Sequence, residues 1–169
     1  GSTLWWKKDD PQFGSAVLNP TDDEYVYLYG VKRDADGIQN CCLARVLPEK
    51  IEEFDCYEYL ASKEPRWSPN VRETVAVFHG MPNELSVSFN PWLQCYLAVH
   101  SLDLTGKIVA RTALKPWGPW SDPIELWQVR VHRAKPLPYP TLIYAGKEHP
   151  ELSEEGGRVI YITYVEFEE

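Results

Sequence analysis

Apolar and polar residues alternate along short segments of this chain, and clusters of turn-forming residues separate the segments. Such alternation is typical of half-buried β-strands, and Gly, Pro, Asn and Asp mark the turns between them. The pattern predicts strands at 13–18, 24–31, 39–47, 56–60, 84–90, 94–102, 107–114 and 122–127. Residues 48–55 are compatible with one short helical turn, and no long segment has helical periodicity. The chain is therefore predicted to be all-β.

The same four-strand order occurs twice and then begins a third time, at 142–152 and 156–167. Equivalent residues of the first two copies lie 66 to 70 positions apart: Ala44 and Ala110, Arg45 and Arg111, Tyr27 and Tyr96, Val17 and Val87. We interpret residues 1–169 as a single β domain with repeat units at about 12–62, 75–128 and 140–169. The last unit is incomplete.

Four-stranded antiparallel repeats predict β-propeller blades, about two and a half of them here. A β-sandwich of about ten strands is the alternative, because a short chain can complete a sandwich alone. Two and a half blades cannot close a ring, and an open ring exposes long sheet edges. We therefore expect either a piece of a longer protein or a homodimer, since two copies would supply about five blades.

Charge and hydropathy argue against two classes of binding partner, nucleic acids and membranes. The formal net charge is −8 and the pI is near 5.0, which argues against nucleic-acid binding because that function needs a basic stripe. The one concentration of positive charge lies in a predicted loop and comprises Arg130, His132, Arg133 and Lys135. No apolar run approaches the length of a membrane span. Gly1-Ser2 resembles the remnant of a cleaved tag.

The cysteines and acidic turns indicate no cofactor. The four cysteines are Cys41, Cys42, Cys56 and Cys95, and none of them forms a CxxC pair. A structural zinc site is therefore not predicted. A disulfide joining Cys42 to Cys56, one joining Cys41 to Cys95, and four free thiols all remain open. The stretch DADG (34–37) resembles half of a calcium loop, but a hairpin turn explains it more simply. We predict no metal held by protein ligands alone.

Two segments resemble a known superfamily: SVSFNPWLQCYLAVHS (86–101) and KIVARTALKPWGPWSDPIELW (107–127). They are similar to the five-bladed β-propeller glycosidases of the arabinanase, invertase and levansucrase type, most strongly over 83–127 and 139–165. The resemblance implies a carbohydrate ligand in a pocket on the propeller axis, with two or three carboxylates at the starts of the innermost strands. It also allows an axial calcium ion. One carboxylic acid would protonate the leaving oxygen while another carboxylate activates water or attacks the sugar.

Polar residues at three expected innermost-strand starts are the site candidates, in QFGSAV (12–17), NELSVS (83–88) and GKEHPE (146–151). The proposed catalytic carboxylates are Glu84 and Glu148. The proposed substrate-binding residues are Asn83, Ser86, Lys147, His149 and Ser15. Glu84 could instead form an ion pair with Arg72 or Arg111. The first strand has no carboxylate except Asp9 and Asp10 upstream, which could complete a site.

Other prominent side chains are expected to be structural. His100 fits a hydrogen-bonded framework position, and Arg45 and Arg111 fit a repeated role such as holding a neighbouring loop. Trp117 and Trp120 are expected to fill the space between repeat units. Three functions remain open: a glycoside hydrolase, a non-catalytic propeller that binds a glycan or a protein, and an inactive fragment of a longer enzyme.

Overall fold

A computed structural model describes residues 5–81, 83–103, 105–130 and 142–167. The described chain is all-β, as predicted, with antiparallel sheets and no helix longer than one short 3-10 turn. Gly1, Ser2, His132, Arg133 and Lys135 lie outside these residues.

The first sheet has six strands: β1 Gln12–Leu18, β2 Val26–Arg33, β3 Gln39–Val46, β4 Glu58–Ser62, β5 Arg66–Ser68 and β6 Ala76–His79. Their order is β1-β2-β3-β4-β5, and β6 also pairs with β3. The turn between β2 and β3 is tight because the Asp34 side chain accepts hydrogen bonds from the backbone of Asp36 and Ile38. The DADG stretch is thus a hairpin turn.

The second sheet has the order β10-β9-β8-β7, with β7 Ser86–Asn90, β8 Cys95–Leu102, β9 Lys107–Ala113 and β10 Ile124–Gln128. The third pairs β11 Leu142–Glu148 with β12 Ile162–Phe167. Irregular pairing interrupts β1 between Phe13 and Ala16 and β11 between Tyr144 and Lys147. Such bulges change the direction of a strand and are common beside functional sites.

Short 3-10 helices occupy the connections at Pro48–Lys50, Phe54–Cys56, Val71–Glu73, Pro150–Leu152 and Glu155–Gly157. The first two confirm the helical turn expected at 48–55. The predicted strands at 142–152 and 156–167 are wrong at their facing ends: β11 stops at Glu148 and β12 starts at Ile162. Pro150 lacks the N–H that a strand ladder needs, and Gly157 has a positive φ of 92°.

The main core lies between the first and second sheets. Tyr29, Leu43 and Leu60 from the first sheet pack with Val87 and Ala98 of the second and with Leu85, which immediately precedes β7. Trp117 and Trp120 also pack against this core, as expected, and the Tyr29 hydroxyl donates to the Pro116 carbonyl across a sequence separation of 87 residues. The four cysteines are free thiols, so neither disulfide forms.

The third sheet packs on the second through apolar residues, including Ile143 against Leu97 and Val99. A hydrogen bond also joins the second sheet to the connection between β11 and β12, from Asn90 Nδ2 to the Gly157 carbonyl at 2.9 Å. The first strands of the three sheets, β1, β7 and β11, are neighbours in space in that order: β1 contacts β7, and β7 contacts β11. Within the described ranges the sheets do not close a ring.

Candidate functional site

An open depression of about 480 Å³ lies where the start of β1, the approach to β7 and the end of β11 meet. Its lining comprises Gln12, Phe13, Gly14, Ser15, Val31, Asn83, Glu84 and Lys147. Four predicted site residues therefore come together here, namely Ser15, Asn83, Glu84 and Lys147. They converge because their three strands, although far apart in sequence, are neighbours in space.

Glu84 and Lys147 bring opposite charges to this depression, and neither has an ion-pair partner among the residues that the structure describes. Neither Arg72 nor Arg111 is within salt-bridge distance of Glu84 in the described part of the chain, so the structural alternative for this residue is not formed. Other basic side chains are neutralised, for example Arg45 by Glu58 at 2.7 Å and Lys107 by Glu125 at 2.9 Å. An unpaired carboxylate and an unpaired ammonium in one recess can both contact a polar ligand.

Two glutamines that flank the depression organise its polar groups. Gln39, at the start of β3, donates from Nε2 to Asn83 Oδ1 at 2.8 Å, which leaves the Asn83 amide N–H groups as donors. Gln12 donates to the backbone carbonyls of Lys7 and Asp10 at 2.8 and 2.9 Å. The sequence offered no reason to connect Gln39 with Asn83, because their contact joins residues 44 positions apart.

A second recess of about 400 Å³ adjoins the first and shares Gln12 and Val31 with it. Its other lining residues are Lys8, Asp9, Asp10, Lys32, Arg33, Asp34 and Gln39. Asp9 and Asp10, which precede the first strand, are thus placed beside the depression that contains Glu84. No group of three or more His, Cys, Asp and Glu side chains in the described ranges has an arrangement suited to a metal ion.

Glu148 does not line the depression. Its side chain is only 4% exposed, and Oε2 accepts a hydrogen bond from Ser88 Oγ at 2.8 Å. Its backbone N–H donates to Ser86 Oγ at 2.7 Å. Burial raises the pKa of this carboxyl, and the Ser88 hydrogen bond opposes that effect.

The expectation that GKEHPE begins an innermost strand is wrong, because Lys147 and Glu148 end β11. Neighbouring side chains on a strand point to opposite faces, so Lys147 reaches the depression while Glu148 points at β7. His149 also lies away from the depression, where Nδ1 contacts Glu151 at 3.1 Å and Nε2 contacts Thr163 Oγ1 at 2.8 Å. The Ser86 hydroxyl oxygen accepts the hydrogen bond from the Glu148 backbone N–H.

Residues 2–169 match the model of a family described as "Domain of unknown function (DUF4185)". The chain belongs to that family. No curated protein matches the DUF4185 domain.

A solved structure from Bacteroides ovatus ATCC 8483, described as a "putative hydrolase", is similar to the domain with a TM-score of 0.60 and 18% sequence identity. The similarity covers 86% of the domain and 36% of the other chain, so the domain spans about a third of that protein. At this identity the likeness supports a shared fold. In the described part of the DUF4185 domain, no helix is long and apolar enough to cross a membrane.

The DUF4185 domain also has a buried polar framework around His100, which confirms the structural role expected for this residue. His100 is 0% exposed, its Nδ1 contacts the Ser101 carbonyl at 2.7 Å, and Arg111 Nε donates to its Nε2 at 3.2 Å. Burial, together with the Arg111 charge, lowers the pKa of His100 to about 4. Arg111 also donates to the His79 and Ser121 carbonyls. Arg111 therefore holds the connection between β9 and β10 at Ser121, as expected of a residue that holds a neighbouring loop, and also the end of β6 at His79.

Proposed function

We propose that this DUF4185 domain forms part of a carbohydrate-active hydrolase, with the depression around Glu84 as its glycan site. The observation that carries the proposal is Glu84 itself, an unpaired carboxylate in a recess with Ser15, Asn83 and Lys147. Hydroxyl, amide and ammonium groups beside a carboxylate are the chemistry that binds sugar hydroxyls. The neighbour described as a hydrolase agrees with this class of function.

The proposal includes a specific fold, in which the sheets of the domain are blades of a β-propeller. The second sheet is a four-stranded antiparallel meander, and the first strands of successive sheets contact one another, as blades do around an axis. The Glu84 depression lies at one end of these strands, where a propeller has its axial pocket. Further blades would complete the ring, supplied by a longer polypeptide or by a second copy. Light scattering coupled to size-exclusion chromatography would give twice the 19.5 kDa of one chain for a homodimer.

Glycoside hydrolysis requires a pair of carboxyl groups on either side of the scissile bond. Within the proposal Glu84 supplies one, and Asp9 or Asp10 from the adjoining recess supplies the other. Asp10 is the more restrained of these two, because its Oδ2 accepts the Lys7 backbone N–H at 3.0 Å. Glu148 is not included, since its side chain is enclosed between the second and third sheets.

The test is a panel of glycosides and oligosaccharides, assayed with the complete assembly that light scattering identifies. Glu84→Gln keeps the shape but removes the charge, and we expect turnover to fall by about a hundredfold or more. Glu52→Gln is the matched control, because Glu52 is exposed in the turn before Phe54 and lines neither recess. Unchanged turnover in Glu84→Gln would refute the assignment.

One observation favours a second function, a non-catalytic glycan-binding module. Among the described residues, Glu84 is the only carboxylate in the lining of its own depression, where Lys147 also lies. A site with one carboxylate and one ammonium can hold a sugar without cleaving it. Saturable binding of an oligosaccharide, lost in Glu84→Gln and without any turnover, would select this function over hydrolysis.

A further inference from the structure

The end of β11 is attached to β7 by two short hydrogen bonds that both involve Glu148. Ser88 Oγ donates to the Glu148 carboxylate at 2.8 Å, and Ser86 Oγ accepts the Glu148 backbone N–H at 2.7 Å. Ser86 and Ser88 are two positions apart on one strand, so their side chains lie on the same face of β7. One residue of β11 is therefore held at both its backbone and its side chain.

A second contact restrains the residues just before this attachment. The backbone N–H of Gly146 donates to Ser101 Oγ at 3.0 Å. A Cβ atom at Gly146 would lie 2.9 Å from the Ser101 backbone nitrogen, so no larger residue fits without displacing β11. Lys147 lies between this close approach and Glu148. Its backbone is thus restrained on both sides, while its side chain has no partner in the described part of the chain.

The rest of the contact between the second and third sheets does not need a buried carboxyl group. Ile143 and Ile162 pack there against Leu97 and Val99, and an apolar residue at position 148 could extend that packing. Burying a carboxyl group costs free energy, even when it is hydrogen-bonded. A single buried polar contact can, however, define the register of two packed elements, which apolar packing does less strictly.

We propose that Glu148 is a positioning residue, which together with Ser86 and Ser88 holds the Lys147 ammonium in the depression beside Glu84. This inference rests on the proposed function only in taking the depression as the site. Lys147 and Glu148 are adjacent on β11, so a displacement of Glu148 moves the backbone of Lys147 directly. The role assigned to Glu148 is to hold Lys147 in place, without contact to a ligand.

Zero-length cross-linking with a carbodiimide tests this inference, because Glu84 and Lys147 line one depression without an ion pair among the described residues, and the reagent joins them only when side-chain motion brings the carboxylate and the amine into contact. The yield of the Glu84–Lys147 cross-link is measured by mass spectrometry as a ratio to the Lys107–Glu125 cross-link. Lys107 and Glu125 form an ion pair at 2.9 Å between β9 and β10, so this internal standard corrects for general unfolding. We expect Glu148→Ala to lower the ratio by about fivefold, the factor typical of one lost buried hydrogen bond.

Two variants separate positioning from general loosening of the sheets. Glu148→Gln keeps a side-chain acceptor for Ser88 and is expected to retain the wild-type ratio. Asn90→Ala removes the hydrogen bond from β7 to the Gly157 carbonyl, in the connection between β11 and β12, and is also expected to retain it. If Glu148→Ala does not fold, Ser88→Ala removes the donor alone and carries the same prediction.

A ratio that is unchanged in the folded Glu148→Ala or Ser88→Ala protein would overturn the inference. So would an equal fall in Asn90→Ala, or the absence of the Glu84–Lys147 cross-link from the wild-type protein. The measurement uses no substrate, so a glycoside panel without turnover leaves its result intact. Conversely, turnover that depends on Glu84 would stand even if Lys147 proved to be placed independently of Glu148.

Discussion

The buried His100 makes a quantitative prediction about the pH dependence of folding stability. Its pKa is about 4 in the folded domain, against a reference value of 6.5. The unfolded chain therefore binds a proton as the pH falls below about 6.5, whereas the folded domain does so only near pH 4. The stabilisation by neutral His100 is complete above pH 6.5 and is lost progressively as the pH falls through this window. The difference corresponds to about 3 kcal/mol of unfolding free energy.

The surroundings of His100 explain why it resists protonation. Nε2 already accepts the Arg111 Nε–H, so a second proton would place two cations against each other. Phe78 stacks on the imidazole at 5.6 Å with an interplanar angle of 6° and also lies 4.7 Å from the Arg111 guanidinium. The nearby Cys41 thiol is buried, and burial raises its pKa, so it stays neutral in this pH range. Protonated His100 would thus lose an acceptor without gaining an anion.

The assay is urea denaturation followed by tryptophan fluorescence, at intervals from about pH 7 to about pH 4. His100→Gln keeps an acceptor for Arg111 but does not titrate, so it should lose about 3 kcal/mol less than the wild type over this range. His149→Gln is the control at a more exposed histidine. Glu148 acts in the opposite direction, because its pKa is raised in the folded state, but it contributes equally to the wild type and His100→Gln. Parallel pH profiles for the wild type and His100→Gln would refute the reasoning.

The remaining predictions concern backbone strain and core packing. Ala145 has a positive φ of 57° in the β11 bulge, so Ala145→Gly should raise the free energy of unfolding by about 0.5–1 kcal/mol, measured by urea denaturation. A less stable Ala145→Gly protein would show that this conformation is not strained. Leu43 is fully buried in the main core, and Leu43→Ala should cost about 2–5 kcal/mol in the same assay. The control Ile38→Ala, at a residue that is 50% exposed, should change stability little, and equal losses at the two positions would contradict the core assignment.

Strands of five or more residues in the first two sheets could be predicted from sequence, and the strands of three and four residues could not. β2, β3, β8 and β9 have seven or eight residues each, enough for the period of two to be recognised locally. β5 has three residues and β6 four. β6 pairs with β3, more than thirty residues earlier in the chain. Such a strand is formed by its partner, and its own residues contain too few positions to reveal a period.

The candidate site divides in a similar way. Asn83 and Glu84 could be predicted because polar residues at the start of an otherwise apolar strand need an environment outside the core. Gln39 could not, since its contribution is a hydrogen bond across 44 positions. The adjoining recess was also beyond prediction, because it depends on where residues 8–10 pack against β2. Local polarity indicates that a residue avoids the core, and only the tertiary fold determines which residues it meets.

Glu148 shows where this reasoning from local polarity fails. A carboxylate in a polar cluster between two apolar strands has the sequence pattern of a catalytic residue, and the same pattern suits a buried carboxylate that is fully hydrogen-bonded. Only the orientation of β11 distinguishes these two cases. The bulge at Ala145 and Gly146 determines the face of the strand on which each of the next two side chains lies. Lys147 consequently faces the depression, while Glu148 meets Ser88. Lys147, proposed from the sequence as a substrate-binding residue, is thus the member of the pair that lines the depression with Glu84.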